Sequence, residues 1–463
     1  MSRYSPATDR ERAAMLEVIG AGSIDELFEA IPPPLRLDGL SEMPDGLSEH
    51  EVYEQLRGLA AQNLDAESAI SFLGAGMYDH YVPAIVEAII SRSEFLTPYT
   101  PYQPEISQGG LQVMFEFQTA ISELTGLPVA TAGLYEGPST VAAAAYLAIG
   151  ATSRRRFVVS RGLNPQSRQT LATYCEGYRA EITEVGLDSE LMTDLAELEA
   201  QLAAPDQPVA AVIVGYPNFL GAIEDLEAIA AITHAHGALL IAACDPIALS
   251  ILRSPGDCGA DIAVGEGQPL GNRLDFGGPS FGFFAARHEQ MRRMPGRIAG
   301  ETVDADGRRG FVLALQTREQ HIRREKATHN ICTAQALNSL AAMVHLAWLG
   351  RSGFVELGTL LARRTAFARQ LLAGIDGVEP ITVGPVMREF AVRIDAPVRA
   401  VLDRCSRGAV IAGYPLDRDY PEYGDGLLIA LTERRDRAEI ELLARTLAEA
   451  VLALSGERAG VAR

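Results

Sequence analysis

Lysine is almost missing from this chain of 463 residues. Of its 40 basic residues one, Lys326, is a lysine and the rest are arginines. A GC-rich coding bias is the simplest cause, but the absence also has a chemical consequence. A covalent bond to an aldehyde cofactor requires a side-chain amine, and this chain offers a single candidate for that role.

Cysteine is also scarce, and its distribution argues against a disulfide framework. The five cysteines are an odd number without paired spacing or a CxxC motif, and Cys244 and Cys258 lie in apolar segments. This pattern is typical of buried thiols in a reducing compartment. Residues 1–20 also lack the apolar core of a signal peptide, so we expect a cytoplasmic protein.

Long hydrophobic runs and an excess of basic charge are lacking as well. The stretch 336–350 is apolar but short, and it contains Asn338 and His345, which predicts a buried helix rather than a membrane span. The formal net charge of −20 repels phosphates and anionic lipids, so we expect neither nucleic acid nor membrane as a partner. The eight histidines include no HExxH motif, and the one HxH pair, His234 and His236, lies at a predicted helix end, so we expect no metal site.

Apolar residues, in contrast, are abundant. They make up 48% of the chain, which is enough for a large core in two or three structural units. Residues 1–65 include the consecutive prolines Pro32, Pro33 and Pro34, which are incompatible with a helix interior. We therefore predict that residues 1–65 form an N-terminal arm without a core of its own.

The pattern after the arm predicts an α/β fold. Between residues 66 and 325, near-continuous apolar strands alternate with helices, two of which are predicted at 114–126 and 140–152. Such alternation favours a mostly parallel sheet with helices on both faces. Residues 326–463 are predicted to form a linking helix and a smaller α+β domain. Its expected elements are strands at 388–394 and 426–431 and a final helix at 437–455.

Polar residues follow the predicted strands at the edge where parallel sheets bind ligands. Asp245 ends one strand, and the strand near 259–266 leads into a loop whose central residues, Gln268 and Pro269, carry no positive charge. A buried aspartate at this place can pair with a protonated pyridine nitrogen and make the ring an electron sink. The alternative is that Asp245 only caps the N-terminus of a following helix.

Two hydroxyl residues, Ser139 and Thr140, stand where a glycine-containing loop leads into an alanine-rich helix. Backbone N–H groups and hydroxyls at such a position can hold a phosphate. A plain helix cap is the commoner use of serine and threonine, so both interpretations stay open. The nearby Glu136 is unfavourable for an anion.

Two further segments are expected to face a ligand or a partner. The loop at 97–119 is held extended by prolines, and a structural surface loop would have the same pattern. Its polar groups are Tyr99, Tyr102, Gln103 and Glu105. The segment 315–338 concentrates arginines, including Arg318, beside small uncharged residues. It either binds a phosphate or carboxylate or forms a solvated helical face.

Seven long motifs carry a resemblance to a known family. They are "YSPATDRERAAMLEVIG", "FLGAGMYDHYVP", "FLTPYTPYQPEISQG", "YPNFLGAIEDL", "DIAVGEGQPLG", "MPGRIAGETVDADGRRGF" and "LQTREQHIRREKATHNICTAQALN". With them the chain, over almost its whole length, resembles the glycine dehydrogenase (decarboxylating) family, the P-protein of the glycine cleavage system. The likeness is to the alpha chains of the two-subunit bacterial form.

The resemblance implies a fold and a reaction. The fold is that of fold-type I pyridoxal-phosphate-dependent transferases, with a mostly parallel large-domain sheet and a smaller α+β C-terminal domain. In the implied reaction, glycine is decarboxylated with pyridoxal phosphate on a partner, glycine dehydrogenase subunit 2 (beta). The aminomethyl group then passes to the lipoyl arm of the H-protein. The cofactor lysine belongs to beta, and Gln268 and Pro269 stand in its place here.

The resemblance therefore implies no catalytic residue in this chain, no covalently bound cofactor and no activity of the isolated chain. It implies interface or active-site support from Tyr99, Tyr102, Gln103, Glu105, Thr317, Arg318 and Gln320. It implies a vestigial cofactor pocket at Ser139, Thr140 and Asp245.

The chain also departs from the family pattern at His329 and at six further positions, all of which we expect to line this pocket. The six are Glu136, Pro138, Asn164, Gly215, Arg273 and Asp275. These departures leave two alternatives open. One is a non-catalytic pseudoenzyme or divergent paralogue that docks or regulates a partner decarboxylase. The other is an independent enzyme that uses Lys326.

Overall fold

The structure, a computed structural model, describes residues 6–37, 43–44, 46–101, 103–204, 208–327, 329, 331 and 333–461, and side chains as far as Leu454. Contacts within the chain divide it into two units, Met1–Leu64 and Asp65–Arg463. The domain boundaries expected from the sequence, at residues 65 and 325, stay predictions.

The N-terminal unit contains two helices and two 3-10 turns. They are α1 (Asp9–Ile19), α2 (Glu49–Ala60) and the turns Asp25–Phe28 and Pro33–Leu35. Thr8 and Ser48 begin the two helices with capping boxes, which satisfy N–H groups that the first helical turn leaves without partners. None of the described side chains in this unit is buried.

A seven-stranded sheet lies at the centre of the second unit, which opens with the short strand β1 (Ile70–Ser71). The sheet strands are β2 (Val129–Ala130), β3 (Arg156–Ser160), β4 (Glu181–Val185), β5 (Val209–Tyr216), β6 (Leu239–Cys244), β7 (Ile262–Glu266) and β8 (Gly282–Ala286). Their order is β2-β8-β7-β6-β5-β3-β4. Strands β3 to β7 are parallel, and β8 is antiparallel to both of its neighbours.

Strand β5 shows why this sheet is covered on both faces. All eight of its residues are buried, because Val212 and Val214 point into one hydrophobic cluster while Ala211 and Ile213 point into another. The prediction of a mostly parallel sheet between two helical layers is therefore confirmed. The helices around it are α3 (Ala84–Ile90), α4 (Ser93–Leu96), α5 (Gln108–Thr125), α6 (Gly137–Thr152), α7 (Pro165–Tyr178), α8 (Leu195–Leu202) and α9 (Leu226–Ala235).

The rest of the unit contains an antiparallel hairpin and a smaller sheet. The hairpin pairs β9 (Ile298–Val303) with β10 (Arg309–Ala314), and α10 (Gln320–Arg323) and α11 (Ala336–Leu372) follow. The remaining elements are β11 (Val378–Pro380), β12 (Glu389–Ile394), α12 (Val398–Arg407), β13 (Val410–Ile411), β14 (Tyr414–Pro415), β15 (Gly426–Ala430) and α13 (Arg437–Val461). The smaller sheet has the antiparallel order β11-β12-β15-β14, and β13 pairs with β1.

Two helical alternatives that the sequence left open do not hold. The charged segment that contains Lys326 is not one continuous helix: α10 has four residues and ends at Arg323, and Arg324 follows it with a φ of 54°. The residues after Asp245 form only a 3-10 turn, Ala248–Ser250. No helix within the described part of the chain is both long and apolar enough to cross a membrane.

Candidate functional site

A cavity of about 370 Å³ lies at the carboxyl ends of the parallel strands. Pro217, Asp245 and Glu266 border it at the ends of β5, β6 and β7, and the N-terminus of α6 forms another wall. This is the edge at which open α/β sheets bind ligands. Its charged lining residues are Glu136, Asp245, Glu266, Arg388 and Glu389.

Asp245 is paired with an arginine of this same chain. The Arg388 Nε atom lies 2.6 Å from Asp245 Oδ2. The two side chains form an ion pair, but this contact does not have the geometry of a hydrogen bond. The other Asp245 oxygen accepts the Ile247 N–H at 2.9 Å, which closes the turn after β6. Asp245 therefore has both a charge partner and a local capping role.

Arg388 is held from three sides and is 2% exposed. Besides Asp245, its guanidinium contacts His80 Nε2, and its central carbon lies 3.4 Å from the centre of the Tyr78 ring. The face of an aromatic ring attracts a cation, so the contact with Tyr78 stabilises the guanidinium at this place. The cavity thus has one cationic lining residue among those described, and that cation is already balanced by Asp245.

Glu389, the first residue of β12, is buried beside Arg388. Its carboxylate accepts the Ala75 N–H and the Tyr78 hydroxyl, each at 2.7 Å. Burial raises the pKa of Glu389 to about 7, although these two hydrogen bonds oppose the shift. Glu389 is therefore a carboxyl group whose charge changes near neutral pH.

The hydroxyls of Ser139 and Thr140 are bonded within the first turn of α6. Ser139 Oγ donates to the Glu136 carbonyl at 3.0 Å, and Thr140 Oγ1 donates to the Gly137 carbonyl at 2.5 Å. The Ser139 N–H donates to Glu136 Oε1 at 3.1 Å, and the Thr140 N–H donates to the Glu136 carbonyl at 3.2 Å. Both residues serve the helix cap, which was one of the two interpretations left open.

Glu266 takes the remaining N–H group of this helix start. Its Oε2 accepts the Gly137 N–H at 2.9 Å, and Pro138 has no N–H to offer. Burial raises the pKa of Glu266. The start of α6 therefore has two carboxyl groups and no uncommitted N–H group from Gly137 to Thr140. These residues do not fit the phosphate of a pyridoxal cofactor.

Neither residue at the expected lysine position supplies an amine. Pro269 lines the cavity, whereas the Gln268 side chain is buried outside it. The Gln268 amide accepts the Tyr78 N–H at 3.0 Å and donates to the carbonyls of Tyr78 and Asn272 at 3.0 and 2.9 Å. Lys326 is exposed on a 3-10 turn and is not among the lining residues.

The three described candidates in the segment 97–119 are absent from the cavity lining. Tyr99, Gln103 and Glu105 are exposed, and the Tyr99 hydroxyl contacts the Thr333 hydroxyl. Tyr102 lies outside the described residues. The role of this loop at a partner interface stays a prediction.

The other three candidates, Thr317, Arg318 and Gln320, differ in burial. Thr317 and Gln320 are exposed, whereas Arg318 is buried and donates to the carbonyls of Leu315, Met294 and Gly296. The Arg318 contacts tie the turn after β10 to the segment before β9. Its predicted anion contact stays a prediction, because the described contacts of its guanidinium are to main-chain oxygens.

We expect Arg318→Ala to lower the free energy of unfolding by about 2 kcal/mol, because carbonyls lose hydrogen bonds from a charged donor. Urea unfolding of the purified chain measures this, with Arg323→Ala as a matched control since Arg323 is exposed on the adjoining α10. If Arg318→Ala is as stable as the control, the guanidinium does not have the structural role inferred from its contacts.

The six departures from the family pattern do not share one location. Glu136, Pro138, Asn164 and Gly215 line the cavity, as expected. For Arg273 and Asp275 the expectation was wrong: both are exposed and absent from the cavity lining, and Arg273 pairs with Glu87 at 2.8 Å. They belong to the loop between β7 and β8, whose later residues Gly277 and Pro279 do line the cavity.

Four residues that shape the cavity were not singled out from the sequence. Tyr78 and Glu266 lie inside the motifs that carry the family resemblance, but nothing in those motifs indicated that these two residues line a cavity. Arg388 and Glu389 begin a predicted strand, where a charged pair beside an apolar run was a usable signal of burial. Among the described residues, no group of three His, Cys, Asp or Glu side chains could hold a metal ion.

The strand order of the large sheet and the cavity at its carboxyl edge indicate the fold class. A sphingosine-1-phosphate lyase of Burkholderia pseudomallei matches with a TM-score of 0.64 at 16% identity, over 93% of this chain and 97% of that one. This likeness concerns the fold alone. It confirms the predicted fold-type I architecture of pyridoxal-phosphate-dependent transferases.

Three findings then give the family. Residues 2–447 match the family described as "Glycine cleavage system P-protein". A "Probable glycine dehydrogenase (decarboxylating) subunit 1" of Brevibacillus brevis is 46% identical over 96% of this chain and 98% of its own length. A crystal structure of glycine decarboxylase (P-protein), in inhibitor-bound form, matches with a TM-score of 0.88 at 41% identity, covering 97% of this chain and all of that one. The chain belongs to the P-protein family, as the sequence motifs predicted.

Proposed function

We propose that this chain is the non-lysine alpha subunit of a heteromeric glycine decarboxylase of the glycine cleavage system. In this proposal the partner beta subunit holds pyridoxal phosphate, and the lipoylated H-protein accepts the aminomethyl group. The observation that supports these separate roles of the two subunits is the cavity of this chain. It lies at the ligand edge of a P-protein fold but has no amine and no uncommitted N–H group at the start of α6.

The chain's own part in the reaction is to complete the assembly. The N-terminal unit exposes large apolar side chains, with Val18 at 89%, Leu37 at 80% and Leu35 at 73% exposure, and Ile106 in the loop at 97–119 is 73% exposed. Exposed apolar groups of this size favour coverage by another chain. We infer a permanent interface with beta that buries roughly 2,000 Å² or more.

The test is co-expression of this chain with a beta-like chain whose lysine is intact. We expect a complex that persists at micromolar concentration in sizing experiments. We also expect glycine–carbon dioxide exchange by the complex and none by this chain alone, because this chain lacks the amine that the chemistry requires. Lys326→Arg is the matched variant, since it keeps the charge and removes the amine, and it should leave exchange by the complex unchanged.

Borohydride reduction with pyridoxal phosphate, followed by peptide mapping, separates the alternatives. A label on beta alone supports the alpha-subunit role. Stoichiometric label on Lys326, together with exchange by the isolated chain, would make this protein an independent enzyme. A complex that forms but whose activity does not need this chain would identify a pseudoenzyme that docks or regulates its partner.

A further inference from the structure

We propose that the carboxyl groups of Glu136 and Glu266 occupy the anion position at the start of α6. They exclude phosphate-bearing ligands from this cavity independently of the missing lysine. This inference rests on the contacts of this chain alone and does not require the partner or the reaction proposed above.

The start of α6 is the place in the cavity best suited to an anion. The helix has 16 residues, and its N-terminus borders the cavity. Unpaired N–H groups and the helix dipole favour negative charge at such a position. The carboxyl oxygens of Glu136 and Glu266 accept these N–H groups from within the protein, at 3.1 Å and 2.9 Å from the two nitrogens.

The position of Glu266 is fixed by close backbone packing. Gly137 lies so near the end of β7 that a Cβ atom there would stand 2.8 to 3.0 Å from the Glu266 Cβ, N and Cα atoms. Glu266 Oε1 also accepts the Gln268 N–H at 2.9 Å, so both carboxylate oxygens are bonded. The carboxylate therefore cannot swing aside for a second anion without loss of main-chain hydrogen bonds.

The charge of the lining adds to this exclusion. Arg388 is the basic residue among the described lining residues, and Asp245 already pairs with it. A phosphate that entered would find the N–H groups of the helix start already accepted by carboxyl oxygens and no free cation to balance it, and any negative charge on these carboxyl groups would repel it. The cavity is thus built to accept uncharged or cationic groups.

Calorimetric titration with pyridoxine 5′-phosphate tests the proposal, because this compound has no aldehyde and needs no lysine. Pyridoxine without the phosphate is the reference ligand. The wild-type chain should bind the two equally weakly. Glu136→Gly/Glu266→Ala, which frees both N–H groups, should bind the phosphate compound about tenfold or more tightly than pyridoxine. The matched control, Glu116→Ala/Glu123→Ala, changes the net charge equally on exposed α5 positions and should behave as the wild type.

Cooperative thermal unfolding of each variant verifies that it is folded. If the Gly/Ala variant is not folded, Glu136→Gln/Glu266→Gln takes its place, because it removes both ionisable groups and keeps the side-chain shape. We expect this variant to gain a smaller preference for the phosphate compound over pyridoxine. A wild-type chain that prefers the phosphate compound tenfold would overturn the proposal. So would a folded variant that gains no preference. No partner or activity measurement enters this test, so it fails or succeeds separately from the alpha-subunit role.

Discussion

Replacement of Arg388 by methionine is expected to lower the free energy of unfolding by about 3–5 kcal/mol, the range typical when one partner of a buried ion pair is removed. Arg388 is 2% exposed and is the described charge partner of Asp245, whose side chain is 15% exposed. Without the guanidinium, the Asp245 carboxylate stays partly desolvated and unpaired. The Tyr78 ring also loses the cation that lies 3.4 Å from its centre.

A double variant separates the charge from the packing. Arg388→Met/Asp245→Asn removes both charges, while the amide oxygen can still accept the Ile247 N–H. We expect it to recover at least about 2 kcal/mol relative to Arg388→Met, because the uncompensated carboxylate is gone. Urea unfolding of the wild type, Arg388→Met, Asp245→Asn and the double variant in one buffer gives the coupling energy between the two side chains. Equal losses in the single and double variants would mean that packing of the arginine, not its charge, matters at this site.

The fold was predictable because its signals are local. Strand β5 is an apolar run between turn residues, and helix α6 is alanine-rich and begins at a glycine and a proline. Such patterns depend on residues within one element, and parallel strands buried on both faces give near-continuous apolar runs. The start of α5 was placed six residues too late, since Gln108 to Gln112 carry little periodic apolar signal.

The site was predictable only in part, because its contacts join distant segments. Asp245 could be placed at a strand end from the sequence, but its partner Arg388 directly precedes β12 of another sheet. The contact of Arg388 with His80 joins residues that are 308 positions apart. No periodic pattern records such a pairing. The missing amine was visible directly, whereas the two carboxylates at the α6 start became meaningful only when their hydrogen bonds were known.

These contacts also explain why the cavity persists without an amine. Its polar groups are bonded to one another: Asp245 to Arg388, Glu389 to Tyr78, and Glu266 to the start of α6. Buried polar groups cost little when each has a partner, so the cavity wall remains compatible with a stable fold. Burial raises the pKa of Glu389, one member of this set, to about 7.

The stability of the chain should therefore depend on pH through Glu389. Burial raises its folded-state pKa to about 7 from an ordinary value of 4.5. The folded state then binds a proton more tightly than the unfolded state. The resulting stabilisation is fully present below about pH 4.5 and is lost as the pH rises through about 7. Between about pH 5 and about pH 8.5 the wild type should lose about 2.5 kcal/mol through this group.

Glu389→Gln isolates that contribution, because glutamine keeps the shape and cannot ionise. We expect the free energy of unfolding of wild type minus that of Glu389→Gln to fall by about 2.5 kcal/mol across this pH range, measured by urea unfolding at both ends. Tyr78→Phe is the matched second variant. It removes the hydroxyl that donates to Glu389 at 2.7 Å and favours the charged form, so the pH window should move upward. A wild-type minus Glu389→Gln difference that is constant with pH would show that Glu389 does not ionise in this range and that folding is not linked to its protonation.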